Sequence, residues 1–150
     1  VAYRVLEYEV DEEDLSAATA AAKLGVEADR VFKTLALKGA DGTVFLACVP
    51  ASAELNLKKA AHASGQKSCD LLPLKDLLPT TGYVRGGCSP LGTKRKLQVY
   101  LDETAQLWDW ISVSAGQRGL QVLLDPALLL KAAASQPGAP SVGAEYADLV

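Results

Sequence analysis

The sequence is poor in the usual carriers of chemistry. It has one histidine, three cysteines with no CxxC pair among them, and no long apolar run. A Ser-His-Asp or Cys-His mechanism would have to pass through His62. That residue sits in the run AAHAS, read as a surface helix, where a histidine is more at home solvated or capping. Cys48, Cys69 and Cys88 are odd in number and widely spaced, so neither a zinc site nor a disulfide framework is indicated. No cofactor is expected, and a reducing cytoplasm is the expected home. No stretch approaches the roughly 18 apolar residues that would cross a membrane. The N-terminal VAYRVLEYEV alternates like a strand and lacks a basic-then-apolar leader. Because it begins on valine, a short upstream piece is expected to be missing. Neither the Walker nor the dinucleotide glycine fingerprint is present, and no internal repeat stands out. A net charge of −3 argues against a protein coated by nucleic acid, while Lys94-Arg95-Lys96 and Lys58-Lys59 provide local basic patches.

What is there reads as an ordinary globular chain. Apolar residues make up 49% and charged residues 22% of 150 positions, which predicts one domain over residues 1–150. Residues 3–10 read as a first strand. Ser16 or Asp14 caps a helix through Leu24, closed by Gly25. Two β-rich runs, 31–38 and 43–49, flank Gly39-Ala-Asp-Gly42, a hairpin connection. Asn56 caps a helix over Leu57–Ser64 that stops at Gly65. A short apolar piece near Cys69 and a short helix at 74–78 follow. Strands are predicted at 97–101, 110–114 and 120–124, and Pro126 opens a helix to about Ala134. Residues 135–144 read as a loop and Glu145–Val150 as a last short helix docking back. The irregular alternation favours an α+β (mixed α/β) fold, with a mixed sheet and helices around it.

Three stretches are candidates for chemistry. In VFKTLALKG, alternation puts Lys33 on one strand face with Val31, Leu35 and Leu37. An unpaired buried charge is costly. Either Lys33 snorkels to an edge, or it is a cationic anchor for a phosphate or hydroxyl at a pocket mouth. In Gly86-Gly-Cys-Ser-Pro-Leu-Gly92, three glycines and a proline mark a tight loop. Its N–H groups can converge on an anion or carbonyl, or it is a plain turn. In Ser112-Val-Ser-Ala-Gly-Gln-Arg-Gly119, two serines share a strand face before a glycine turn, which is also what a polar hairpin end looks like. Cys88 has no evident base beside it, and Glu12-Glu13 reads as a solvated turn.

VFKTL, LNLKKAA, TGYVRGGCSPLGTKRKL and SVSAGQRGLQV, in this order and spacing, resemble the YbaK-type Cys-tRNA(Pro) deacylases. These are relatives of the editing domain inserted in bacterial prolyl-tRNA synthetases. The resemblance runs from about Tyr8 to Pro126, with a weaker echo in EYADLV. It implies a mixed, barrel-like β-sheet of about six to seven strands surrounded by helices. It also implies hydrolysis of the ester joining a wrong amino acid to the tRNA 3′ adenosine. Lys33 falls on the family's functional lysine, with Thr34 beside it, and Tyr8 matches a pocket tyrosine. Gly86, Gly87, Ser89, Pro90 and Gly92 match the loop that approaches the terminal nucleotide and aminoacyl group. Ser114 and Gly116 match a second substrate-facing turn. The chain departs from the pattern at Gln121, where some members carry aspartate, and at Ser16 or Leu15, where some carry an aromatic residue. Cys88 stands where an aliphatic residue is common and is read as a wall residue.

The lack of a conventional catalytic set fits a reaction in which the substrate supplies the nucleophile. A cysteine esterified to tRNA(Pro) carries its own thiol, a few per cent of it thiolate near pH 7. The expectation is thus a trans-editing deacylase for Cys-tRNA(Pro), with Lys33 anchoring the terminal adenosine. The partners expected are the tRNA(Pro) 3′ end and prolyl-tRNA synthetase, with no membrane and the oligomeric state open. Two alternatives stay open: a deacylase for another small amino acid such as alanine, and a non-catalytic module that binds tRNA or a synthetase.

Overall fold

A hairpin lays down the centre of the structure. In the computed structural model, which describes residues 3–134 and 143–150, β2 (Phe32–Gly39) pairs antiparallel with β3 (Val44–Pro50), Lys33 opposite Val49 and Leu37 opposite Phe45. Asp41 shapes the connection by accepting the Thr43 N–H at 2.8 Å. Strand β4 (Cys69–Leu71) adds to β2 on one side, over Leu37–Gly39. Strands β5 (Gln98–Asp102) and β8 (Ala144–Ala147) add parallel on the other side, giving the order β4-β2-β3-β5-β8. A second sheet, β1-β7-β6, is antiparallel and built from Tyr3–Glu7, Leu120–Leu124 and Ile111–Ser114. The two sheets meet at an isolated parallel bridge, Val31 to Ser112, so the barrel they outline stays open.

Two apolar layers hold this together. On one face of the larger sheet, Phe32, Ala36, Leu46, Val99 and Leu101 pack against Ile111, Val113, Val122 and Leu124 of the smaller sheet. Helix α4 (Pro126–Ala134) joins them through Leu129 and Ala133. On the other face, Leu37, Phe45, Ala47 and Val49 pack under α2 (Leu57–Ser64), through Ala60 and Ala61. The helix ends follow their sequence signals. Ser16 caps α1 (Ala17–Leu24) by accepting the Thr19 N–H, while Asp14 accepts the Ser16 N–H and the Thr19 hydroxyl. Asn56 takes the Lys58 and Lys59 N–H groups at the start of α2. Gly25 and Gly65 close both helices with φ of 68° and 73°.

The mixed α+β fold expected from the sequence is the one that forms, with three local differences. The first strand ends at Glu7, and one residue on, the Tyr8 N–H still follows the same register with a 2.9 Å bond to Gly119 C=O. Helix α3 runs further than expected, Leu74–Thr81, with the Thr81 hydroxyl bonded to Leu77 C=O at 2.7 Å and Gly82 ending it. The predicted helix at 145–150 is instead strand β8 and a short tail. Six residues cannot hold a helix alone, and β5 offers an open edge that supplies ladder bonds at once. Asp102, fully buried, then captures the Leu149 N–H at 2.9 Å, and Leu149 C=O accepts the Asn56 N–H. The predicted loop at 135–144 lies mostly outside the described residues.

This docking makes the C-terminal tail part of the core. Leu149→Ala is expected to destabilise the fold by about 2–5 kcal/mol, the range for a fully buried leucine. Urea unfolding checks this, since a loosely laid helix would lose well under 1 kcal/mol.

Candidate active site

Where the two sheets part beyond the Val31–Ser112 bridge, a cavity of about 580 Å³ opens. One wall is the first half of β2, from Val31 to Ala36. Facing it are Ser114 and Gln121 of the smaller sheet. Tyr8, Asp14 and Leu15 come from the strap that joins β1 to α1, and Gly86 and Cys88 from the glycine loop. Leu71, Leu72, Leu74 and Leu77 close the side next to β4 and α3.

Lys33 is half-buried on the face that continues into Leu35 and Leu37. It precedes the layer under α2, and its position at the end of β2 gives it the cavity rather than the core. It makes no ion pair or hydrogen bond with any described residue. Both readings of this lysine started from its apolar face; its position on the cavity wall leaves the ammonium free for an incoming anion or hydroxyl. Thr34 turns to the opposite face, where its hydroxyl meets Cys48 Sγ at 3.6 Å.

The glycine loop and the second turn are locked to each other by residues that sequence reasoning passed over. Tyr83 lies between them: its hydroxyl donates to Leu91 C=O, and its ring leaves a Cβ on Gly116 only 3.0 Å from Cε1. Gly116 has φ of 104°, so the turn excludes a side chain on conformational grounds as well. Gly87 packs against the backbone of Gln117 and Arg118. Arg118 donates to Arg85 C=O at 2.8 Å and pairs with Glu12 at 2.7 Å, tying loop, turn and strap together. A tyrosine directly before a glycine loop and an arginine inside a glycine turn were the signals available in the sequence.

Not every expected site residue lines the cavity. Tyr8, Lys33, Thr34, Gly86 and Ser114 do. Gly87, Ser89 and Pro90 are buried behind the wall, Ser89 Oγ accepting the Leu91 N–H at 3.2 Å. Gly92 and Gly116 lie against Tyr83. Cys88 is a wall residue whose thiol burial pushes up to about 11, so it stays protonated near neutral pH. Gln121 is buried, its amide oxygen accepting the Ser112 hydroxyl at 2.8 Å. His62 is exposed on α2 beside a different hollow.

A family model described as the aminoacyl-tRNA editing domain matches residues 11–132. EbsC of Enterococcus faecalis, named as a Cys-tRNA(Pro)/Cys-tRNA(Cys) deacylase, is 48% identical over 130 residues, 87% of this chain and 79% of EbsC. The chain belongs to the aminoacyl-tRNA editing family. It is therefore a hydrolase of the ester between an amino acid and tRNA. YwhH of Bacillus subtilis, an uncharacterized protein, is 31% identical over 123 residues, 80% of this chain and 78% of YwhH. A solved structure named as a trans-editing enzyme for prolyl tRNA synthetase matches with a TM-score of 0.79 at 25% identity, over 98% of this chain and 85% of that one. The hypothetical protein APE2540, at 21% identity and a TM-score of 0.81, shares the fold. Among the described residues no helix is long and apolar enough to cross a membrane.

For this editing domain the two glycine turns must keep their close contact. Gly116→Ala is expected to cost about 1–3 kcal/mol, the range for a strained backbone, and to lower deacylation by displacing Tyr83. Gly25→Ala, with φ of 68° and open space around it, serves as the control: it should cost about 1 kcal/mol and leave deacylation intact. Thermal melts and a deacylation assay on both variants check the contrast.

Proposed function

We propose that the chain hydrolyses Cys-tRNA(Pro) in trans and that the substrate's own thiol is the nucleophile. The reading is carried by one observation: a half-buried ammonium without a partner faces a cavity whose own thiol is held protonated. The name of EbsC and its 48% identity support the choice of cysteine. In this reading Lys33 anchors the terminal adenosine through a ribose hydroxyl or phosphate. Thr34 and Tyr8 border the same space, and Ser114 backs the aminoacyl group.

The chemistry then asks little of the protein. The substrate's thiolate attacks its own ester carbon, the bond to the ribose oxygen breaks, and that oxygen takes a proton from water. The cyclic thioester is opened by water to free cysteine. The protein holds the reacting atoms together and stabilises the developing charge. Gly86 and Cys88, the loop residues on the cavity wall, are the source of N–H groups for the carbonyl oxygen, since the Gly87 N–H is already spent on Val84 C=O at 3.0 Å. Alanine and proline survive because they have no thiol. A synthetase that presents the tRNA fits the acidic net charge of −3, with the Lys94–Lys96 run directly after the loop as the local basic patch.

The alternative, an activated water acting on another small amino acid, needs a general base over the ester. The carboxylates on the lining, Glu13 and Asp14, are both exposed at the rim, and hydrogen bonds from the Thr19 and Ser16 side chains hold Asp14 below the usual range, which makes it a weak base.

Lys33→Ala is expected to lower kcat/KM for Cys-tRNA(Pro) by about tenfold to hundredfold, the value of one hydrogen bond to a charged group. Wild-type rates in that variant would remove the anchor. The thiol route makes a separate prediction. Cys-tRNA(Pro) hydrolysis should rise with pH up to the substrate thiol's own range, about 8.5. S-methylcysteinyl- and Ala-tRNA(Pro) should stay at the uncatalysed rate. Hydrolysis of Ala-tRNA(Pro) as fast as Cys-tRNA(Pro) would show that the thiol is not required.

A further inference from the structure

The edge of β2 that borders the cavity is unpaired along part of its length. In an antiparallel strand the N–H and C=O of one residue point to the same side, and successive residues alternate. Gly39 N–H donates to Thr43 C=O, and Val31 C=O accepts from Ala51 N–H, so the odd-numbered residues of β2 address β3. The even-numbered residues point away from β3, as the 2.9 Å bond from Leu72 N–H to Ala36 C=O requires. Strand β4 pairs only with Leu37–Gly39, and pairing with β6 is limited to the bridge at Val31. Between these two limits the N–H and C=O of Thr34, followed by the Ala36 N–H, face the cavity with no strand paired to them. The Thr34 side chain is turned to Cys48, so at this point the wall is main chain.

Unpaired strand edges are usually covered or blunted. This one is recessed and flanked by leucines. Leu71 and Leu74 are 56% and 63% exposed, unusual for leucine, and both line the cavity beside the open edge. A polar edge between apolar walls is the complement of a flat heterocycle, which hydrogen-bonds along its rim and sheds water from its faces. The order of groups selects the heterocycle. A strand edge offers C=O next to N–H. Adenine offers an amino donor next to a ring-nitrogen acceptor, whereas hypoxanthine and guanine reverse that order along the same rim.

We propose that the main chain of Thr34 and Ala36 reads the terminal adenine of the tRNA, its 6-amino group donating to Thr34 C=O and a ring nitrogen accepting from N–H, with Leu71 and Leu74 against its faces. The proposal rests on the reading that this cavity takes the aminoacylated 3′ end. Adenine is then recognised by groups that no side-chain substitution removes. Lys33, on the adjoining strand face, is left for the ribose or phosphate.

The test uses two stable mimics of the 3′ end, cysteine joined through an amide to 3′-amino-3′-deoxyadenosine and the same compound built on inosine. Each is titrated as an inhibitor of Cys-tRNA(Pro) hydrolysis by the intact protein. The adenosine compound is expected to inhibit at least tenfold more tightly than the inosine compound. Thr34→Ala should preserve that ratio, and Leu74→Asp, on an exposed side chain, should reduce it by weakening the adenosine compound. Hydrogen exchange at the Thr34 and Ala36 amides should slow when the adenosine compound binds. Equal inhibition by the two compounds, with Cys-tRNA(Pro) still hydrolysed, would overturn the proposal and leave the functional reading standing. Absence of Cys-tRNA(Pro) hydrolysis would sink the functional reading instead, and exchange at the two amides would then decide this proposal alone. Protection of those amides by an unrelated extended peptide, with none from the adenosine compound, would overturn it in favour of strand addition.

Discussion

The two sheets touch at the Val31–Ser112 bridge, and the rest of the site depends on that contact. Directly before the bridge, the Arg30 guanidinium lies 4.3 Å from the Trp108 ring centre and 3.9 Å from that of Trp110, so both tryptophans of the chain are spent on this one point. Arg30 Nε is buried without a hydrogen-bond partner, a cost of about 1–3 kcal/mol. Two desolvated cation–π contacts, each about 0.5–2 kcal/mol, offset it. The Asp109 carboxylate, 3.4 Å away and 83% exposed, adds little. On the adjoining strands, the buried bond from Ser112 to Gln121 fixes the other side of the junction. Because strand pairing between the sheets stops at this bridge, β2 keeps an open edge and Lys33 faces a cavity instead of a partner strand's side chains.

That geometry explains why a protein with one histidine can have an active site. A cleft made by parting sheets exposes main-chain groups, and glycine turns bring more of them together. The polar side chains of the inner wall are one lysine, a few hydroxyls and the Gln121 amide, with Glu13, Asp14 and Arg85 at the rim. The cavity's own thiol is muted: burial raises Cys88 to about 11, and Cys48, behind Thr34, to about 12. Neither supplies appreciable thiolate near neutral pH. A small molecule that brings its own sulfur, held at an ordinary pKa, has no competitor in this wall for attack on an ester beside it.

Much of this was legible in the sequence, and the residues say why. Alternation around Lys33, the Asn56 and Ser16 caps and the Gly39–Gly42 hairpin are local signals that depend on neighbours within about four positions. They place β2, β3, α1 and α2 nearly to the residue. EYADLV misled because its strand state is set by the free edge of β5 and by Asp102, some 45 positions earlier, and nothing local encodes either. Tyr83 and Arg118 were missed for the same reason. Their work is to join segments distant in the chain, and a tyrosine or arginine beside a glycine turn looks alike whether or not it does so. The open edge of β2 is further still from the sequence, since it is defined by where two other strands stop.

Gln121 shows how one neutral side chain conditions the charge of the whole cavity. Of the charged residues on the lining, Glu13, Asp14 and Arg85 are exposed at the rim, and Lys33 is the half-buried one. A carboxylate at 121 would be buried beside Ser112 and would need a cation to offset its desolvation. In the same cavity that cation would be Lys33, and an ion pair between them would cancel the field each presents. The amide avoids both costs: its oxygen is satisfied by the Ser112 hydroxyl at 2.8 Å and it carries no charge. The ammonium then remains the uncompensated charge in the inner wall. Electrostatic attraction for a phosphate, or for the negative charge that builds on an ester oxygen during cleavage, is conserved there because residue 121 does not use it up.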